Sequence, residues 1–284
     1  MTREEYAASR KPNFVERFEV NTLSPGSESA AGRGFLGEKA DEYARAYAEE
    51  TPGGFALRVR RKRVLELFDK AGGRVLDVGC GPAEMVQPLL RLGCEFWGLD
   101  PSPRMIEICR TRFGELENVH FVEGEAGQIS FPDAFFDAVL CMGVIDGLKN
   151  FDQVIEEMLR VLKPGGTIII TFANRQSPYA QWKKYVFYPA LTLKRRIMNP
   201  KANNDPILIQ RRLFTPKEAS ELLAAAGAEV QRVVGYFYNL LLSPLDEVWA
   251  AAALLVNKKL EEARDGDPGW LAAGFILKAH KTNH

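Results

Sequence analysis

Short apolar runs that alternate with amphipathic segments occupy the middle of the chain. Runs of β-branched and aliphatic residues predict strands at 74–79, 95–100, 119–124, 136–142 and 166–173. Apolar residues at helical spacing predict helices near 84–92, 103–113 and 152–162, and Pro88 predicts that the first of these is short or kinked. This alternation indicates an α/β fold with a doubly wound, mostly parallel sheet that carries helices on both faces.

The segments on either side of this region extend the predicted domain. Helical patterning over 37–70 predicts an N-terminal helical cap, whereas the polar residues 1–36 predict a flexible segment. Thr215, Pro216 and Glu218 have the pattern of a capping box and predict a helix start. Apolar segments at 229–234 and 274–279 complete a sheet of seven strands, the last of them antiparallel. We therefore predict one domain over 37–284, with an inserted lid at 175–213.

Composition places the chain among ordinary globular proteins. It has 284 residues, of which 46% are hydrophobic and 26% are charged. The four cysteines lack C-x-x-C spacing, which predicts free thiols in a reducing compartment and no metal site. The N-terminus is charged, and the longest apolar run, 248–256, is too short to cross a bilayer. These features predict a soluble, cytoplasmic protein without a transmembrane segment.

Two turns, at the ends of the first two predicted strands, carry the candidate ligand chemistry. Residues 77–81 read Asp-Val-Gly-Cys-Gly, and the second strand ends at Asp100. Glycine lets the backbone adopt positive φ and approach a ligand closely, and an acid such as Asp100 suits ribose hydroxyls. A dinucleotide site needs a third glycine where Glu84 stands, and a carboxylate there would repel a pyrophosphate. The chain also lacks the G-x-x-x-x-G-K-[ST] loop of ATP and GTP sites.

With four later segments, these turns resemble the class I S-adenosylmethionine-dependent methyltransferase family, of the type that acts on small molecules. The segments are 121–126 (Phe-Val-Glu-Gly-Glu-Ala), 131–139, 161–167 (Val-Leu-Lys-Pro-Gly-Gly-Thr) and 214–227, and they follow in the family's order. The resemblance covers roughly residues 40–280. It implies a Rossmann-like methyltransferase fold and S-adenosylmethionine as the cofactor.

The resemblance also implies which residues bind the cofactor. From the methionine end to the adenine end they are Asp77, Gly79, Cys80 and Gly81 beneath the methionine part, Cys141 and Met142 beside the sulfonium, Asp100 at the ribose, and Pro101, Met105, Glu125 and Ala126 around the adenine. Ala83 and Glu125 stand where many family members have glycine and aspartate. Residues 142–146 lack the Asn/Asp-Pro-Pro-aromatic signature of amino-directed nucleic-acid methyltransferases, which argues against methylation of base nitrogens.

Candidates for a catalytic role are few. Methyl transfer from a sulfonium needs alignment and exclusion of water, and it needs a general base only for an acceptor of high pKa. Asp146, after the fourth strand, is a candidate base or orienting group, although a helix N-cap explains it equally well. Tyr43, on the cap, is a candidate lid residue, but packing of its helix is an equal alternative. The histidines His120, His280 and His284 are predicted to be structural or exposed.

The insertion is predicted to select the methyl acceptor. The net charge of the chain is zero, yet residues 175–214 contain nine basic residues, one acid and several aromatic residues. A solvated helical cap, a lid over an apolar acceptor with a negative group, contact with an anionic membrane surface and RNA binding all stay open. We expect methylation of O, N or C of a small-molecule or lipid-like metabolite. The alternatives are an RNA methyltransferase and a non-catalytic S-adenosylmethionine-binding protein.

Overall fold

The computed structural model describes residues 40–187, 212–242 and 245–283, together with 189, 190, 193 and 197. The strands within these ranges are β1 (Arg74–Val78), β2 (Glu95–Asp100), β3 (Val119–Glu123), β4 (Phe136–Cys141), β5 (Leu162–Ala173), β6 (Ala228–Tyr238) and β7 (Ala272–Lys281). They form a single sheet in the order β3-β2-β1-β4-β5-β7-β6. The first five strands are parallel, and β7 is antiparallel to both β5 and β6. The predicted mostly parallel, seven-stranded sheet is confirmed, while segment 1–36 lies outside the described residues.

Helices cover both faces of the sheet. They are α1 (Ala40–Ala46), α2 (Pro52–Leu67), α3 (Val86–Arg91), α4 (Pro103–Phe113), α5 (Phe151–Val161), α6 (Pro178–Trp182), α7 (Pro216–Ala225), α8 (Leu245–Val248) and α9 (Ala250–Arg264), with a 3₁₀ turn at Ile145–Gly147 and a π-helical turn at Lys183–Phe187. The part of the chain that the structure describes holds no helix long and apolar enough to cross a membrane.

Four helices begin with the same local device, a serine or threonine cap followed by proline. The cap residues are Thr51, Ser102, Ser177 and Thr215, and each side chain accepts a hydrogen bond from a backbone N–H in the first turn. Proline suits the position after the cap because it has no N–H to leave unpaired there. At α7 the capping box predicted from Thr215 and Glu218 is complete in both directions. Local sequence therefore sets where these helices start.

Two apolar clusters fill the space between the sheet and its helices, one on each face. Along β4, Val139 and Cys141 pack into the cluster that includes residues of α5 and α7, whereas Leu140 and Met142 pack into the cluster with α2, α3 and α4. Strands covered on both faces are apolar at nearly every position, which explains the continuous apolar runs in the sequence.

Several predicted boundaries differ from the structure. β5 begins at Leu162 rather than at 166, because Leu162 pairs with Phe136 before a bulge that spans the Pro-Gly-Gly segment. α3 begins only at Val86, so Pro88 lies in its first turn, where proline is tolerated, and the helix is short as Pro88 predicts. β6 and β7 are longer than predicted, because they pair with each other along almost their whole length.

The two ends of the insertion meet at the sheet. Asn174 and Phe214 form an isolated parallel bridge, the N–H of Arg175 donates to the carbonyl of Phe214 at 2.8 Å, and the N–H of Phe214 donates to the carbonyl of Ala173 at 2.9 Å. The intervening chain thus leaves and re-enters the fold at one point, beside the carboxyl end of β5. The boundaries 37–70 and 175–213 of the cap and lid stay predictions.

Candidate active site

The glycine turn lies at the carboxyl end of β1, beside the end of its neighbour β4. From β1 the sheet continues to β2 and β3 on one side, and from β4 it continues to β5 on the other. Ligands bind at this point of strand-order reversal in open α/β sheets. The N–H groups of Gly79 and Cys80 both donate to the carbonyl of Leu99, at 2.7 and 3.0 Å, which fastens the turn across the end of β2. Gly79 and Gly81 have φ of +69° and +51°. A Cβ on Gly79 would lie 2.2 Å from Cγ2 of Val144, so only glycine fits there. The turn is a narrow cradle of bare backbone.

Asp77 lies beneath this cradle and is the most unusual residue of the site. Its side chain is fully buried, and neither carboxylate oxygen accepts a hydrogen bond from any described residue. Burial raises the pKa of Asp77 to about 8; Arg60 counteracts this shift, and Asp100 adds to it. An unpaired buried carboxyl group is costly in the free protein and becomes favourable once a cation or donor reaches it. The surroundings of Asp77 therefore suit the binding of a positively charged group.

Asp100, at the end of β2, joins the two turns. Its Oδ2 accepts from the N–H of Gly81 and its Oδ1 accepts from the N–H of Ser102, both at 3.0 Å. Burial raises the pKa of Asp100 although these two hydrogen bonds lower it. Each carboxylate oxygen retains a second acceptor site, so the group suits a pair of hydroxyl donors such as those of a ribose.

Arg60, on α2, completes the polar lining, and sequence reasoning missed it. Its Nη2 donates to the hydroxyls of Tyr43 and Tyr47 at 3.2 and 3.4 Å, and its Nη1 lies 2.3 Å from where a Cβ on Gly143 would be. Its Nε is enclosed and has no hydrogen-bond partner among the described residues. Burial opposes the charge of Arg60, but the facing tyrosines Tyr43 and Tyr47 outweigh it and raise its pKa. The sequence signal that could have found Arg60 is the pair of tyrosines at spacing four, because Tyr43 and Tyr47 both point their hydroxyls at its guanidinium group.

The predicted adenine-side residues lie around the ends of β2 and β3. Pro101 follows Asp100 and is half-buried, while Met105 is buried in the first turn of α4, where its N–H donates to Oγ of Ser102. Asp100 pairs with Glu123 in the sheet, and the N–H of Gly124 donates to the carbonyl of Asp100 at 3.1 Å.

The remaining predicted residues are placed by these same strands. The half-buried Glu125 and Ala126 directly follow β3, near the end of β2. At the end of β4 the side chain of Cys141 is enclosed in the core, so a contact from Cys141 to a ligand would come from its backbone. Met142 packs toward the opposite face. The structure thus brings all the predicted cofactor residues to one edge of the sheet, and their individual roles stay predictions.

The two candidate catalytic residues differ in their surroundings. Tyr43 stands over the glycine turn, with Cε1 at 3.3 Å from where a Cβ on Gly81 would be, and its hydroxyl accepts from Arg60. Asp146 lies in the 3₁₀ turn and is 5% exposed; its Oδ1 accepts from the N–H of Ala173 and its carbonyl accepts from the N–H of Arg212. Asp146 is therefore not the cap of a helix, because it links the end of β5 to the end of the insertion. The role of Asp146 as a base or orienting group and the role of Tyr43 as a lid residue stay predictions.

The two histidines within the described residues, His120 and His280, have structural surroundings. His120, on β3, stacks on Trp97 with ring centroids 4.1 Å apart, and its Nε2 is 3.3 Å from Glu95. Burial lowers the pKa of His120 although Glu95 raises it. His280 lies on β7 and pairs with Thr167 and Glu229 in the sheet, and His284 lies outside the described residues.

The charge argument made from Glu84 needs correction. Glu84 precedes α3 and is paired on two sides, with Arg61 at 2.8 Å and Arg112 at 2.9 Å. Its charge is therefore compensated and does not by itself repel a phosphate. The case against a pyrophosphate rests instead on the absence of the third glycine of a dinucleotide site, because Glu84 stands at that position.

The strand order, the glycine turn and the two buried acids agree with the methyltransferase domain that the sequence motifs predict. Comparison with known proteins agrees, since residues 76–170 match the family model described as "Methyltransferase domain". The chain is 36% identical to a demethylmenaquinone methyltransferase of Tropheryma whipplei over 111 residues, which are 39% of this chain and 46% of that relative. It is 28% identical to a ubiquinone biosynthesis O-methyltransferase of Agrobacterium fabrum over 190 residues, 64% of this chain and 72% of that relative.

The fold is also shared with solved structures. A 1,6-didemethyltoxoflavin-N1-methyltransferase of Burkholderia thailandensis, solved with 1,6-didemethyltoxoflavin and S-adenosylhomocysteine, aligns with a TM-score of 0.57 and 17% identity over 94% of each chain. The present chain matches about half the length of the Tropheryma relative. The match over residues 76–170 agrees with the methyltransferase resemblance of the sequence motifs.

Proposed function

We propose that the protein transfers the methyl group of S-adenosylmethionine to O, N or C of a small organic acceptor. The observation that carries this proposal is the unpaired Asp77 beneath a cradle that only glycine fits, with Asp100 beside it. The α-ammonium group of the cofactor pairs with Asp77, and the ribose hydroxyls donate to Asp100. When bound, the cofactor supplies a sulfonium whose methyl group needs only an aligned nucleophile and the absence of water.

Arg60 extends this fit to the second charge of the methionine part. An α-amino acid carries an ammonium and a carboxylate on the same carbon, and the site offers Asp77 for the first and Arg60 for the second. The two hydroxyls that hold Nη2 fix the guanidinium plane and leave Nε to a ligand. Tyr43 and Tyr47 shield the same region from water, and burial raises the pKa of Tyr47, so that its phenol stays neutral.

Arg60→Met should separate this role from a structural one. We expect affinity for S-adenosylhomocysteine to fall about 10- to 100-fold, the range for a lost charge-assisted hydrogen bond. Affinity for 5′-methylthioadenosine, which lacks the amino acid group, should stay the same. Both affinities are measured by calorimetric titration, and Arg61→Met, whose guanidinium pairs with Glu84 instead, is the matched control. An equal loss for both ligands would show that Arg60 only supports the fold of the site.

The acceptor is proposed to be apolar or aromatic, with a negative or ionisable group. The relatives named above act on demethylmenaquinone or in ubiquinone biosynthesis, which favours a lipid-like quinone or phenol. The insertion leaves the sheet at the carboxyl end of β5, and we expect it to cover such an acceptor. Arg212, at its end, lies over the rings of Phe151 and Phe214, which shows that cations and aromatic rings are already mixed at this edge.

Calorimetry and a transfer assay together test the proposed reaction. S-adenosylmethionine should bind saturably, and Asp100→Ala should weaken binding by about 1–3 kcal/mol. Glu123→Ala, which removes the exposed acid paired with Asp100 across the sheet, is the control and should leave affinity unchanged. Labelled methyl groups should then appear in a demethylated quinone or phenol and not in RNA.

The other outcomes of these assays distinguish the alternative functions. Label in RNA would identify an RNA methyltransferase. Tight binding without transfer to any acceptor of a metabolite extract would identify a cofactor-binding protein. Absence of binding would overturn the proposed function altogether.

A further inference from the structure

The α8–α9 segment buries polar side chains and exposes large apolar ones. The buried stripe of α9 is Ala253, Asn257 and Glu261, two of them polar. The start of the segment exposes Val248 to 69%, Trp249 to 57% and Leu255 to 58%, whereas the later exposed positions of α9 are mostly charged. Surface helices of globular proteins present their apolar stripe to the core and their polar face to water. The exposed apolar side chains at the start of the segment therefore indicate a surface that contacts something other than water.

Polar residues face inward here for a structural reason. Glu261 accepts from Nε of Arg63 at 2.9 Å and from the N–H of Phe237 at 3.1 Å, so its buried charge is paired. This network attaches α9 to α2 and to β6. It accounts for the inner face of the helix. On the outer face Lys258 lies 3.9 Å from Glu50, but this ion pair does not explain the exposed apolar side chains.

The insertion presents further exposed apolar side chains beside this segment. Tyr185 and Val186, in the π-helical turn after α6, are 62% and 44% exposed. The hydroxyl of Tyr179 in α6 donates to Asp246 in α8 at 2.9 Å, which holds the insertion against α8. We call the six side chains Leu245, Val248, Trp249, Leu255, Tyr185 and Val186 the apolar face. Large contiguous apolar patches on a monomer mark interaction sites.

Basic residues flank the apolar face. Lys183 and Lys184 lie directly before Tyr185, and the exposed Lys258 and Lys259 follow Leu255 on α9. Of the two acids in α8, Asp246 is buried and bound to Tyr179, and Glu247 directly precedes Val248. Lys258 lies 3.9 Å from Glu50, so Lys183, Lys184 and Lys259 carry most of the basic character of this surface. The whole segment 175–214 contains nine basic residues and one acid. Apolar and aromatic side chains among lysines complement the interface of an anionic bilayer, where rings reach the acyl boundary and ammonium groups reach phosphates.

The apolar face also lies on the ligand side of the sheet. β7 is antiparallel to both β5 and β6, so β5 and β6 end at the same edge as the parallel strands that carry the glycine turn. The insertion follows β5 and α8 follows β6. Attachment through this face would bring the open edge of the sheet close to the attached surface.

We propose that the apolar face docks on the surface of an anionic lipid bilayer. Val248, Trp249 and Leu255 enter the headgroup region, and Lys183 and Lys184 pair with lipid phosphates. The attachment is peripheral. It goes beyond the proposed methyl transfer and does not depend on it, because it involves neither the cofactor nor the acceptor.

Vesicle co-sedimentation without cofactor tests this proposal. The full chain should sediment with vesicles that contain phosphatidylglycerol and remain in solution with vesicles of phosphatidylcholine alone, and high salt should weaken the interaction. Val248→Asp with Leu255→Asp should weaken binding about tenfold or more, because two charges then face the acyl boundary. Leu92→Asp with Leu116→Asp is the matched control, since these side chains are also exposed but lie at the ends of α3 and α4, away from the face.

Two further measurements keep the outcome decisive. In a background of Trp182→Phe and Trp270→Phe, fluorescence should shift to the blue with anionic vesicles, and Trp249→Phe should remove that shift. Unchanged S-adenosylhomocysteine affinity would show that the Val248→Asp and Leu255→Asp protein is folded. If the wild type ignores both kinds of vesicle, the proposal is wrong. If it is a dimer in light scattering that this double substitution dissociates, without vesicle binding, the face is an interface between copies and the proposal is also wrong.

Discussion

Replacing Asp77 with asparagine should abolish tight cofactor binding and, in the same molecule, stabilise the free protein at alkaline pH. Asparagine keeps the shape of the side chain and removes its charge. The carboxyl group of Asp77 is buried without a hydrogen-bond partner among the described residues, and its pKa is raised to about 8. The charge of Asp77 destabilises the free protein and binds the ligand, so its removal should both stabilise the free protein and weaken cofactor binding.

The pH dependence has a definite sign. The folded protein holds a proton on Asp77 up to a pKa of about 8, whereas the unfolded chain releases it near pH 4. Between these values the folded state binds more protons, so Asp77 makes the free energy of unfolding fall as pH rises, by at most about 1.4 kcal/mol per pH unit. Above about pH 8 both states are deprotonated and this contribution levels off. Asp77→Asn lacks this slope.

Urea unfolding of both proteins between about pH 5 and pH 9 measures the difference directly. Calorimetry at pH 7 in buffers of different ionisation enthalpy adds a second readout. Cofactor binding should release about one proton from the wild type, because the α-ammonium group favours the ionised carboxylate of Asp77. Asp77→Asn should release none and should bind at least about 100-fold more weakly.

Asp137 supplies a control of opposite sign. Its carboxylate pairs with Lys163 at 2.9 Å and accepts from the N–H of Arg74 at 2.9 Å. Burial raises the pKa of Asp137, but these partners outweigh it and lower the pKa below its ordinary value. Asp137 therefore contributes stability that is present above its unfolded pKa, and Asp137→Asn should destabilise the protein near neutral pH. An Asp77→Asn protein that is less stable than the wild type at pH 9, or that binds the cofactor unchanged, would contradict our account of Asp77.

Sequence reasoning located Asp77 and Asp100 because both follow strands whose apolar runs are unmistakable. Parallel strands end at one edge, so acids at two adjacent strand ends had to lie close together. That Asp77 is unpaired was not predictable, because it depends on which side chains the fold brings near it. Arg60 was missed for the same reason: it lies on a helix seventeen positions before Asp77 and reaches the site only through the packing of α2 on the sheet.

α9 shows where periodicity fails. The apolar run at 248–256 is too short for a bilayer, and its length alone does not predict α9. The inner stripe of α9 is Ala253, Asn257 and Glu261, which lacks the apolar periodicity that predicts a surface helix. The buried charge of Glu261 is explained only by its partners Arg63 and Phe237, and both are remote in sequence. A polar inner stripe of this kind depends on tertiary contacts.

Gly79→Ala should impair both stability and cofactor binding, and the structure separates two causes. The φ of +69° costs an alanine about 1–2 kcal/mol. Its Cβ would also lie 2.2 Å from Cγ2 of Val144, a short and stiff side chain, and relieving that overlap costs about 1–3 kcal/mol more. Urea unfolding should therefore show a loss of about 2–5 kcal/mol. Calorimetry should show weaker binding, because the turn moves away from the ligand.

Gly93→Ala and Val144→Ala apportion this loss. Gly93 has a φ of +75° and nothing within 4 Å of an added Cβ. Gly93→Ala should therefore lower the free energy of unfolding only by the cost of the positive φ. Combining Gly79→Ala with Val144→Ala should restore the steric part of the stability, and the double-mutant cycle should give a coupling of about 1–3 kcal/mol. If Gly79→Ala costs no more than Gly93→Ala, Val144 yields freely and does not restrict the turn. A coupling of the expected size would show instead that Val144, after β4, holds the glycine turn after β1 in its binding conformation.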